Sequence, residues 1–286
     1  MLLTTLVPEA SGFPDPWAKP GLQGVYVGDG VMLTRNWLDQ LMYVSSTDLI
    51  VTPHLLNLGY CEPHLTKVLM SLLQPGQVFV DIGANVGYYS VLGGRAVHPG
   101  GTVHAFEPNP AIHRLLADNL EVNGFAPSAI PHRLALSDRA GTAPLLVFEG
   151  RTAAATLRPV SAAYAEAFGA RTGRTTHAVA VETVRLDDVL AAVPEVHLIK
   201  LDAEGHEPAI LRGGTELLRR SPAVKLLMEF VPFHYARDEA LDHLGLLRDL
   251  GFRLYRIEAD GGIAEHTDAE LLGFDFSDIM ALRPGG

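Results

Sequence analysis

The stretch VFVDIGANVGYYS, residues 78–90, joins one apolar run to another through a turn that contains two glycines. The run Val78–Ile82 predicts a buried strand, and Tyr88–Val97 has the length and pattern of a helix. Gly83 permits a tight turn, and Gly87 opens the helix, whose free N–H groups favour an anion. The stretch therefore predicts a strand, a nucleotide-binding turn and a helix, the unit from which α/β folds are built.

Three side chains around this turn narrow the choice of nucleotide. A dinucleotide loop reads G-x-G-x-x-G, and its middle glycine, which lets the backbone approach a pyrophosphate, is Asn85 here. Asp81 would repel a phosphate but could accept a hydrogen bond from an ammonium group. Glu107 ends the next strand, 24 positions beyond Gly83, near the spacing at which an acidic residue binds ribose hydroxyls. Adenosine joined to an amino acid satisfies all three, so we expect S-adenosylmethionine; two glycines alone would indicate only a turn.

Strands and helices alternate along the rest of the chain. Further strand patterns occur at Thr102–Phe106, Val196–Leu201 and Lys225–Phe230. With helical patterns between them, this alternation implies a parallel sheet with right-handed crossovers. Near the C-terminus the runs FRLYRI and FSDIMAL, with a turn at residues 260–262 between them, predict an antiparallel edge. We expect a Rossmann-like α/β fold with a mostly parallel sheet.

A second motif, HLIKLDAEGHEPAILRGG at residues 197–214, places four titratable side chains after an apolar strand. They are Asp202, Glu204, His206 and Glu207. Open α/β sheets bind ligands at this carboxyl edge. The groups could orient a substrate hydroxyl, act as a general base or hold a divalent cation, and their spacing does not separate these roles. We place orientation and proton removal first and metal binding second.

Glu229 and His234 follow the next strand and are expected at the same rim. Aromatic neighbours in the segment MEFVPFHY could wall a pocket there. Glu207 is explained equally well as a carboxylate at a helix N-terminus, where the helix dipole favours it.

Composition limits the partners and the compartment. Lys and Arg number 22 against 33 Asp and Glu, a net charge of −11, so no general attraction to nucleic acid or anionic membranes is expected. The single cysteine, Cys61, can form neither an internal disulfide nor a thiol zinc site, which fits a reducing cytoplasm. Prolines interrupt residues 1–21, and no apolar run approaches the roughly 20 residues of a spanning helix. We expect a cytoplasmic protein without a secretory signal or membrane span.

Several large enzyme classes lack their signatures in this chain. It contains no HExxH, G-x-S-x-G or G-x-x-x-x-G-K-[ST] motif. Zinc hydrolases, hydrolases with a nucleophile elbow and P-loop nucleotidases are therefore disfavoured.

The domain organisation is predicted in two parts. Residues 1–55 are expected to form an N-terminal extension, in which YVGDGVML predicts a hairpin, and residues 56–286 the main domain. An insertion is expected at about residues 139–190, where the alternation stops. It carries Arg151, Arg158, Arg171 and Arg174. We predict a mobile, positive flap over the acceptor site that contacts an anionic group; solvated arginines on a loop explain the pattern equally well.

Three segments together are more specific than the glycine loop alone. They are GYCEP at residues 59–63, VFVDIGANVGYYS with the following HAFEPNP, and IKLDAEGHEPAILRGG followed by LLMEF. From about residue 55 to the C-terminus, their order and separation resemble those of the FkbM family of S-adenosylmethionine-dependent methyltransferases. The resemblance implies a class I methyltransferase fold, whose seven-stranded, mostly parallel sheet has an antiparallel C-terminal edge.

The resemblance also implies the site residues. Tyr60 and Glu62 are expected to close over the cofactor, although Glu62 is also explained as a helix-start carboxylate. The expected cofactor-binding residues are Tyr60, Glu62, Asp81, Gly83, Asn85, Gly87, Tyr88, Glu107, Asn109, Ala135, Leu136, Ser137 and Asp202. The expected catalytic residues are Asp202, Glu204, His206 and Glu229.

The expected reaction is O-methylation of a hydroxyl on a sugar, polyketide or other small metabolite, in natural product biosynthesis or a related pathway. Anionic and glycosylated small molecules are among the candidate acceptors, and nucleic acid is not. One alternative is N-methylation of an amine or peptide. A second is a nicotinamide-dependent oxidoreductase, which Asn85 opposes, and a third is a catalytically silent cofactor-binding protein, which the carboxylate cluster opposes.

Overall fold

The computed structural model describes residues 24–284. The strands are β1 Val25–Gly28, β2 Val31–Arg35, β3 Leu41–Ser45, β4 Val78–Ile82, β5 Thr102–Phe106, β6 Ala129–His132, β7 Ala135–Leu136, β8 Gly141–Phe148, β9 Arg151–Thr156, β10 Thr176–Val184, β11 Leu198–Leu201, β12 Lys225–Phe230, β13 Arg253–Ile257, β14 Ile263–Glu265 and β15 Ser277–Leu282. The helices are α1 Val51–Asn57, α2 Pro63–Leu72, α3 Tyr88–Val97, α4 Pro110–Val122, α5 Ala162–Thr172, α6 Leu186–Val189, α7 Glu207–Gly213, α8 Thr215–Arg220, α9 Arg237–Asp249 and α10 Asp268–Leu271, with a 3₁₀ turn at Pro232–His234.

Two expectations concern the sequence outside the main fold. The predicted lack of a secretory signal falls on residues 1–21, outside the described residues. Between residues 24 and 284, every helix is too short or too polar to cross a membrane.

The main sheet has the order β14-β13-β15-β12-β11-β4-β5-β6. Strands β12, β11, β4, β5 and β6 are parallel, and β15 runs antiparallel between β12 and β13. The predicted Rossmann-like fold is confirmed. The sheet has eight strands where seven were expected, because the turn at residues 258–262 adds the short strand β14 to the outer edge. The chain returns from there through α10 to β15.

Helices cover both faces of the sheet, which explains the continuous apolar strands. Phe79 of β4 packs in a cluster with residues of α2, α3 and α4. Its neighbours Val80 and Ile82 pack in a second cluster with residues of α7, α8 and α9. All three are at most 3% exposed. The α3 helix approaches β4 so closely that a Cβ on Gly93 would lie 2.4 Å from the Phe79 ring.

Helix ends follow the sequence, but the interior of two predicted helices differs. The Asn109 side chain accepts a hydrogen bond from Ala111 N, as an N-cap does. The helical pattern between the predicted strands Val196–Leu201 and Lys225–Phe230 forms two helices, α7 and α8. A Cβ on Gly213 would lie 2.0 Å from Ser137 O, so the close approach requires glycine where the helix breaks. On α9, Leu241 is 38% exposed, whereas Leu244 and Leu247 are fully buried.

Two smaller sheets flank the main one. Strands β1, β2 and β3 form an antiparallel sheet, which contains the hairpin predicted from YVGDGVML. Strands β7, β10, β8 and β9 form the other, and α5 follows β9. The insertion expected at about residues 139–190 contains β8, β9, α5 and β10. The alanine-rich stretches of β9 and α5 show no clear period in the sequence. The proposed division into residues 1–55 and 56–286 with an insertion at about 139–190 stays a prediction.

Candidate active site

A cavity of about 260 Å³ lies at the carboxyl ends of β4, β5, β11 and β12. Its wall takes residues from the end of each strand: Gly83, Glu107, Asp202 and Glu229. Because parallel strands end at one edge of a sheet, the side chains that follow them converge there. Thr152 of β9 covers one side, so the smaller sheet completes the enclosure.

Glu107 is held by the glycine loop itself. Its carboxylate accepts hydrogen bonds from Asn85 N at 3.0 Å and Asn109 N at 2.8 Å. Burial raises the pKa of Glu107 to about 7, although these two N–H donors oppose the shift. Asn109 therefore supports the site through its backbone and lies outside the cavity wall. Beside Glu107, the wall is apolar, with Phe106, Leu134, Ala135, Leu136 and Ile210.

The turn after β4 is shaped by close packing. Gly83 has φ +75°, and a Cβ there would lie 1.8 Å from Asp202 O, so the two strand ends can meet only with glycine. Asn85, also at positive φ, donates from Nδ2 to Thr152 Oγ1 at 3.3 Å. Gly87 lies behind the wall, where a Cβ would lie 2.6 Å from the Leu116 side chain.

A buried lysine lies among the carboxylates. Lys200 of β11 is 3% exposed, and its Nζ donates to Asp202 Oδ2 at 3.0 Å. Burial alone would lower the pKa of Lys200, but the carboxylates of Asp202, Asp81 and Glu62 raise it above the usual range. Its ammonium group also lies 5.0 Å from the centre of the Tyr89 ring. Lys200 therefore stays charged and compensates the acidic groups around it.

The segment before β4 contributes one wall residue and one core residue. Glu62 lines the cavity and accepts a hydrogen bond from Tyr89 Oη at 2.8 Å. Burial raises the pKa of Glu62. Tyr60 is instead buried in the core, 8% exposed. Asp81 is also behind the wall, where Ser90 Oγ donates to its Oδ2 and its Oδ1 has no hydrogen-bond partner among the described residues.

The loop after β11 is fixed by Glu207. Its Oε1 accepts from Ala203 N at 2.7 Å and from Gly205 N at 3.2 Å, and its Oε2 accepts from Tyr235 Oη at 2.6 Å. Glu207 is 1% exposed, so it shapes the loop and does not face the cavity. Glu204, at φ +51°, is thereby directed to the wall.

Glu204 and Glu229 lie close together at the rim. Burial, followed by the charges of Asp202 and Glu207, raises the pKa of Glu204 to about 8. Burial and the same acidic neighbours raise the pKa of Glu229 well above its usual value. One carboxylate oxygen of each lies within 4.8 Å of the other and of a ring nitrogen of His234. The structure thus brings together three of the residues that the sequence placed at this rim.

His206 is directed elsewhere. Its Nε2 lies 3.0 Å from Ser137 Oγ, within hydrogen-bond distance, and burial lowers the pKa of the ring. Ser137 lies behind the wall, next to the apolar residues Ala135 and Leu136. His206 lines the cavity on that side, and the metal-type cluster of the described residues does not include it.

The small sheet reaches the acidic loop through β9. Thr156 Oγ1 donates to Glu204 O at 2.9 Å. The Arg158 guanidinium lies 5.2 Å from the centre of the Tyr235 ring and so close to Gly205 that a Cβ there would lie 2.3 Å from its Cδ. No carboxylate of the described residues forms an ion pair with Arg158. Arg158 is thus beside the acidic rim, and the charge of a second predicted arginine, Arg151, opposes the rise in the pKa of Glu204.

A comparison with known families decides what kind of protein has this site. The model of the methyltransferase FkbM domain matches residues 81–254, which span the glycine loop, the acidic loop and most of the main sheet. The chain belongs to the FkbM methyltransferase family. The predicted cofactor, S-adenosylmethionine, is confirmed.

The chain is similar to three methyltransferases from different organisms. The chain is 33% identical to the 31-O-demethyl-FK506 methyltransferase FkbM of Streptomyces tacrolimicus over 49% of this chain and 60% of that protein. It is 31% identical to methyltransferase sdnD of Sordaria araneosa over 56% of this chain and 75% of that protein. It is 27% identical to the hexuronic acid methyltransferase AglP of Haloferax volcanii over 55% of this chain and 58% of that protein. The chain thus spans less than two thirds of the first and third relatives.

The FkbM site has the groups that S-adenosylmethionine requires. The apolar wall around Phe106 and Leu136 suits an adenine ring. Glu107 keeps acceptor capacity beyond its two backbone donors, which suits ribose hydroxyls. Lys200 and Glu62 supply one positive and one acidic group to the wall, as the charged ends of an amino acid require.

Sequence reasoning missed several residues of the cavity wall, among them Lys200, Tyr89 and Thr152. Lys200 lies in a four-residue strand that is otherwise apolar, and a lysine in a strand buried on both faces is a signal for a buried partner. Tyr89 follows Tyr88 in the opening stretch, yet only Tyr88 was expected at the cofactor; both line the cavity. No local pattern identifies Thr152, because β9 reaches the site from the small sheet.

Proposed function

We propose that this FkbM methyltransferase transfers a methyl group to a hydroxyl of a small metabolite, such as a sugar or a polyketide. The observation that carries the proposal is the pair of rim carboxylates, Glu204 and Glu229. Both line the cavity, and no described residue donates a hydrogen bond to either side chain. An acceptor hydroxyl needs a group that orients it and takes its proton, and free carboxylates supply both functions.

In this proposal, the cofactor lies along the apolar side of the cavity. Ala135 and Leu136 contact the adenine, Glu107 accepts from the ribose hydroxyls, and the Gly83–Gly87 turn surrounds the methionine part. Lys200 and Glu62 bind its carboxylate and ammonium groups. Asp81, Tyr60 and Ser137 act from behind the wall: Asp81 through the charge of Lys200, Tyr60 through packing, and Ser137 through His206.

S-adenosylmethionine supplies an electrophilic methyl group, whose bond to sulfur breaks as the acceptor oxygen attacks in line. Asp202, fixed by Lys200, and Glu204, fixed by the Glu207 loop, orient the acceptor. Glu204 or Glu229 takes the hydroxyl proton. His206 is not the base in this proposal, because its ring is directed to Ser137.

The acceptor class is narrowed by Arg158. A guanidinium without an acidic partner, beside the rim, suits an acceptor that carries a carboxylate or phosphate. One relative is a hexuronic acid methyltransferase, an enzyme named for a sugar acid. We therefore place anionic sugar and polyketide hydroxyls first among the acceptors. Methylation of an amine is the alternative within the same fold.

The test is methyl transfer to matched acceptor panels. Sugar acids, neutral sugars, hydroxylated lactones and primary amines are each incubated with S-adenosylmethionine, and the products are identified by mass spectrometry. We expect methyl ethers, with sugar acids favoured over neutral sugars. Products confined to amines would overturn the proposal, and the Asp202→Asn variant should lower turnover without loss of S-adenosylhomocysteine binding.

A further inference from the structure

Three side chains at the rim have no hydrogen bond or ion pair with any described residue. Glu204 comes from the loop after β11, Glu229 from the end of β12 and His234 from the 3₁₀ turn that follows. Their ligand atoms, two carboxylate oxygens and a ring nitrogen, lie within 4.8 Å of one another. No described residue makes a hydrogen bond or ion pair with any of these three side chains. Three convergent, unpartnered donor groups from separate segments indicate a missing ligand.

The neighbouring acidic groups already have partners. Asp202 is paired with Lys200 at 3.0 Å. Glu207 accepts two backbone N–H bonds and one from Tyr235. Glu204 and Glu229 are therefore the acidic wall residues at this rim that have neither a hydrogen bond nor an ion pair with a described residue. Two half-buried carboxylates this close repel each other unless one of them is protonated or a cation lies between them.

We propose that Glu204, Glu229 and His234 bind a divalent cation of the Mn²⁺ type beside the acceptor. Two carboxylate oxygens suit Mg²⁺ or Mn²⁺, and the imidazole nitrogen selects transition metals over Mg²⁺. With metal–ligand bonds of about 2.1 Å, two ligands lie at most about 4.2 Å apart, so the present spacing needs only small side-chain movements. The side chains of Glu204 and Glu229 line the cavity, so the free coordination positions face the acceptor.

A cation at this site would help the acceptor hydroxyl to act as the nucleophile in methyl transfer. This role rests on the proposed O-methylation, because an alcohol loses its proton reluctantly near neutral pH. A divalent cation beside the hydroxyl would lower the hydroxyl pKa, and the proton would pass to the oxygen of Glu204 or Glu229 that does not bind the cation. An amine needs no such help. The metal site therefore supports a hydroxyl over an amine as the acceptor. It can be tested separately from the acceptor, since the cation binds without one.

A different occupant is the acceptor itself. Its hydroxyl or ammonium groups could donate hydrogen bonds to Glu204 and Glu229 with no metal present. The two cases differ in a measurement without acceptor: the metal site binds Mn²⁺ alone, and the acceptor-only site does not.

The first experiment is titration of Mn²⁺ into the full chain, followed by electron paramagnetic resonance. We expect one bound Mn²⁺ per chain, with a nitrogen coupling from His234 in pulsed spectra. The coupling should disappear in His234→Ala, and affinity should fall at least tenfold in His234→Ala and Glu229→Gln. The exposed residues His177 and Glu265 provide matched controls, and His177→Ala and Glu265→Gln should bind as the unchanged protein does.

Folding is verified in every variant by S-adenosylhomocysteine binding, which uses the other side of the cavity. Protein that binds S-adenosylhomocysteine but no Mn²⁺ overturns the inference. Mn²⁺ binding that all three cluster variants, including Glu204→Gln, leave unchanged also overturns it.

Turnover separates the two proposals. Chelator-treated protein should lose methylation of hydroxyl acceptors at least tenfold and regain it with Mn²⁺. If hydroxyl methylation continues in chelator and Mn²⁺ does not bind, the metal site is wrong and the proposed function stands. If Mn²⁺ binds as expected but only amines are methylated, the proposed function is wrong and the metal site stands.

Discussion

The cofactor side and the acceptor side of the cavity differ in how their polar groups are satisfied. On the cofactor side, Glu107 accepts two backbone N–H bonds and Glu62 accepts from Tyr89, while Lys200 donates to Asp202 between the two sides. On the acceptor side, Glu204 and Glu229 have no donor among the described residues. The protein alone completes the first set, whereas the second is incomplete without a ligand. The cofactor side is preorganised for S-adenosylmethionine, and we expect the acceptor side to determine which acceptor is methylated.

The largest expected effect is on the acceptor side. Glu204→Gln removes the carboxyl group that orients the acceptor or takes its proton, so turnover should fall about 10²–10³-fold. S-adenosylhomocysteine affinity should stay within about threefold, because the cofactor contacts remain. Steady-state kinetics and calorimetry measure the two quantities, with Glu265→Gln as the surface control. Equal losses in turnover and cofactor affinity would show that Glu204 also supports cofactor binding, which would contradict the division into a cofactor side and an acceptor side.

The next effect is on the stability of the cofactor side. Lys200→Met leaves the buried carboxylate of Asp81 and the half-buried carboxylate of Asp202 without their cation. Breaking such a pair costs up to about 3 kcal/mol of unfolding free energy. S-adenosylhomocysteine binding should be lost as well. Lys225 of β12 has no carboxylate partner among the described residues, so Lys225→Met should change the denaturation midpoint little. A Lys200→Met protein as stable as Lys225→Met would show that the ion pair contributes nothing.

A smaller effect concerns the pH dependence of cofactor binding. The pKa of Glu107 is raised to about 7 by burial, so its carboxyl is mostly protonated at pH 6 and ionised at pH 8. Ribose hydroxyls donate to the ionised form, and affinity for S-adenosylhomocysteine should therefore rise with pH, by up to about tenfold between pH 6 and 8. Calorimetry at several pH values tests this. A Glu107→Gln variant with the same pH slope would assign the effect to another group.

The smallest expected effect is at Arg158, in the segment between β9 and α5. Arg158→Ala should raise the KM for a sugar acid about fivefold, or about 1 kcal/mol, and leave the KM for the neutral sugar unchanged. Arg171, exposed on α5, is the matched control. A similar change for both acceptors in Arg158→Ala would mean that the arginine acts by packing on Tyr235 alone.

The sequence could predict the features that depend on neighbouring residues, but not those that depend on contacts between distant segments. The strand β4, the turn and α3 follow from local patterns, since each depends on residues that are neighbours in the chain. The convergence of Glu204, Glu229 and His234 depends on the pairing of β11 with β12 and on the 3₁₀ turn, so only their common sheet edge was predictable. The orientation of His206 toward Ser137 depends on a contact 69 positions away, and no local pattern contains it.

Strand β9 allows no change in the number of residues between its two threonines, Thr152 and Thr156. Within β9, Thr152 hydrogen-bonds to Asn85 of the glycine loop, and Thr156 hydrogen-bonds to the Glu204 carbonyl of the acidic loop. An inserted or deleted residue between the threonines would move one contact by about 3.3 Å relative to the other, more than a hydrogen bond tolerates. Helix α5, beyond this span, is under no such constraint. Variation in chain length between relatives should therefore accumulate at α5 and be absent from the five residues 152–156.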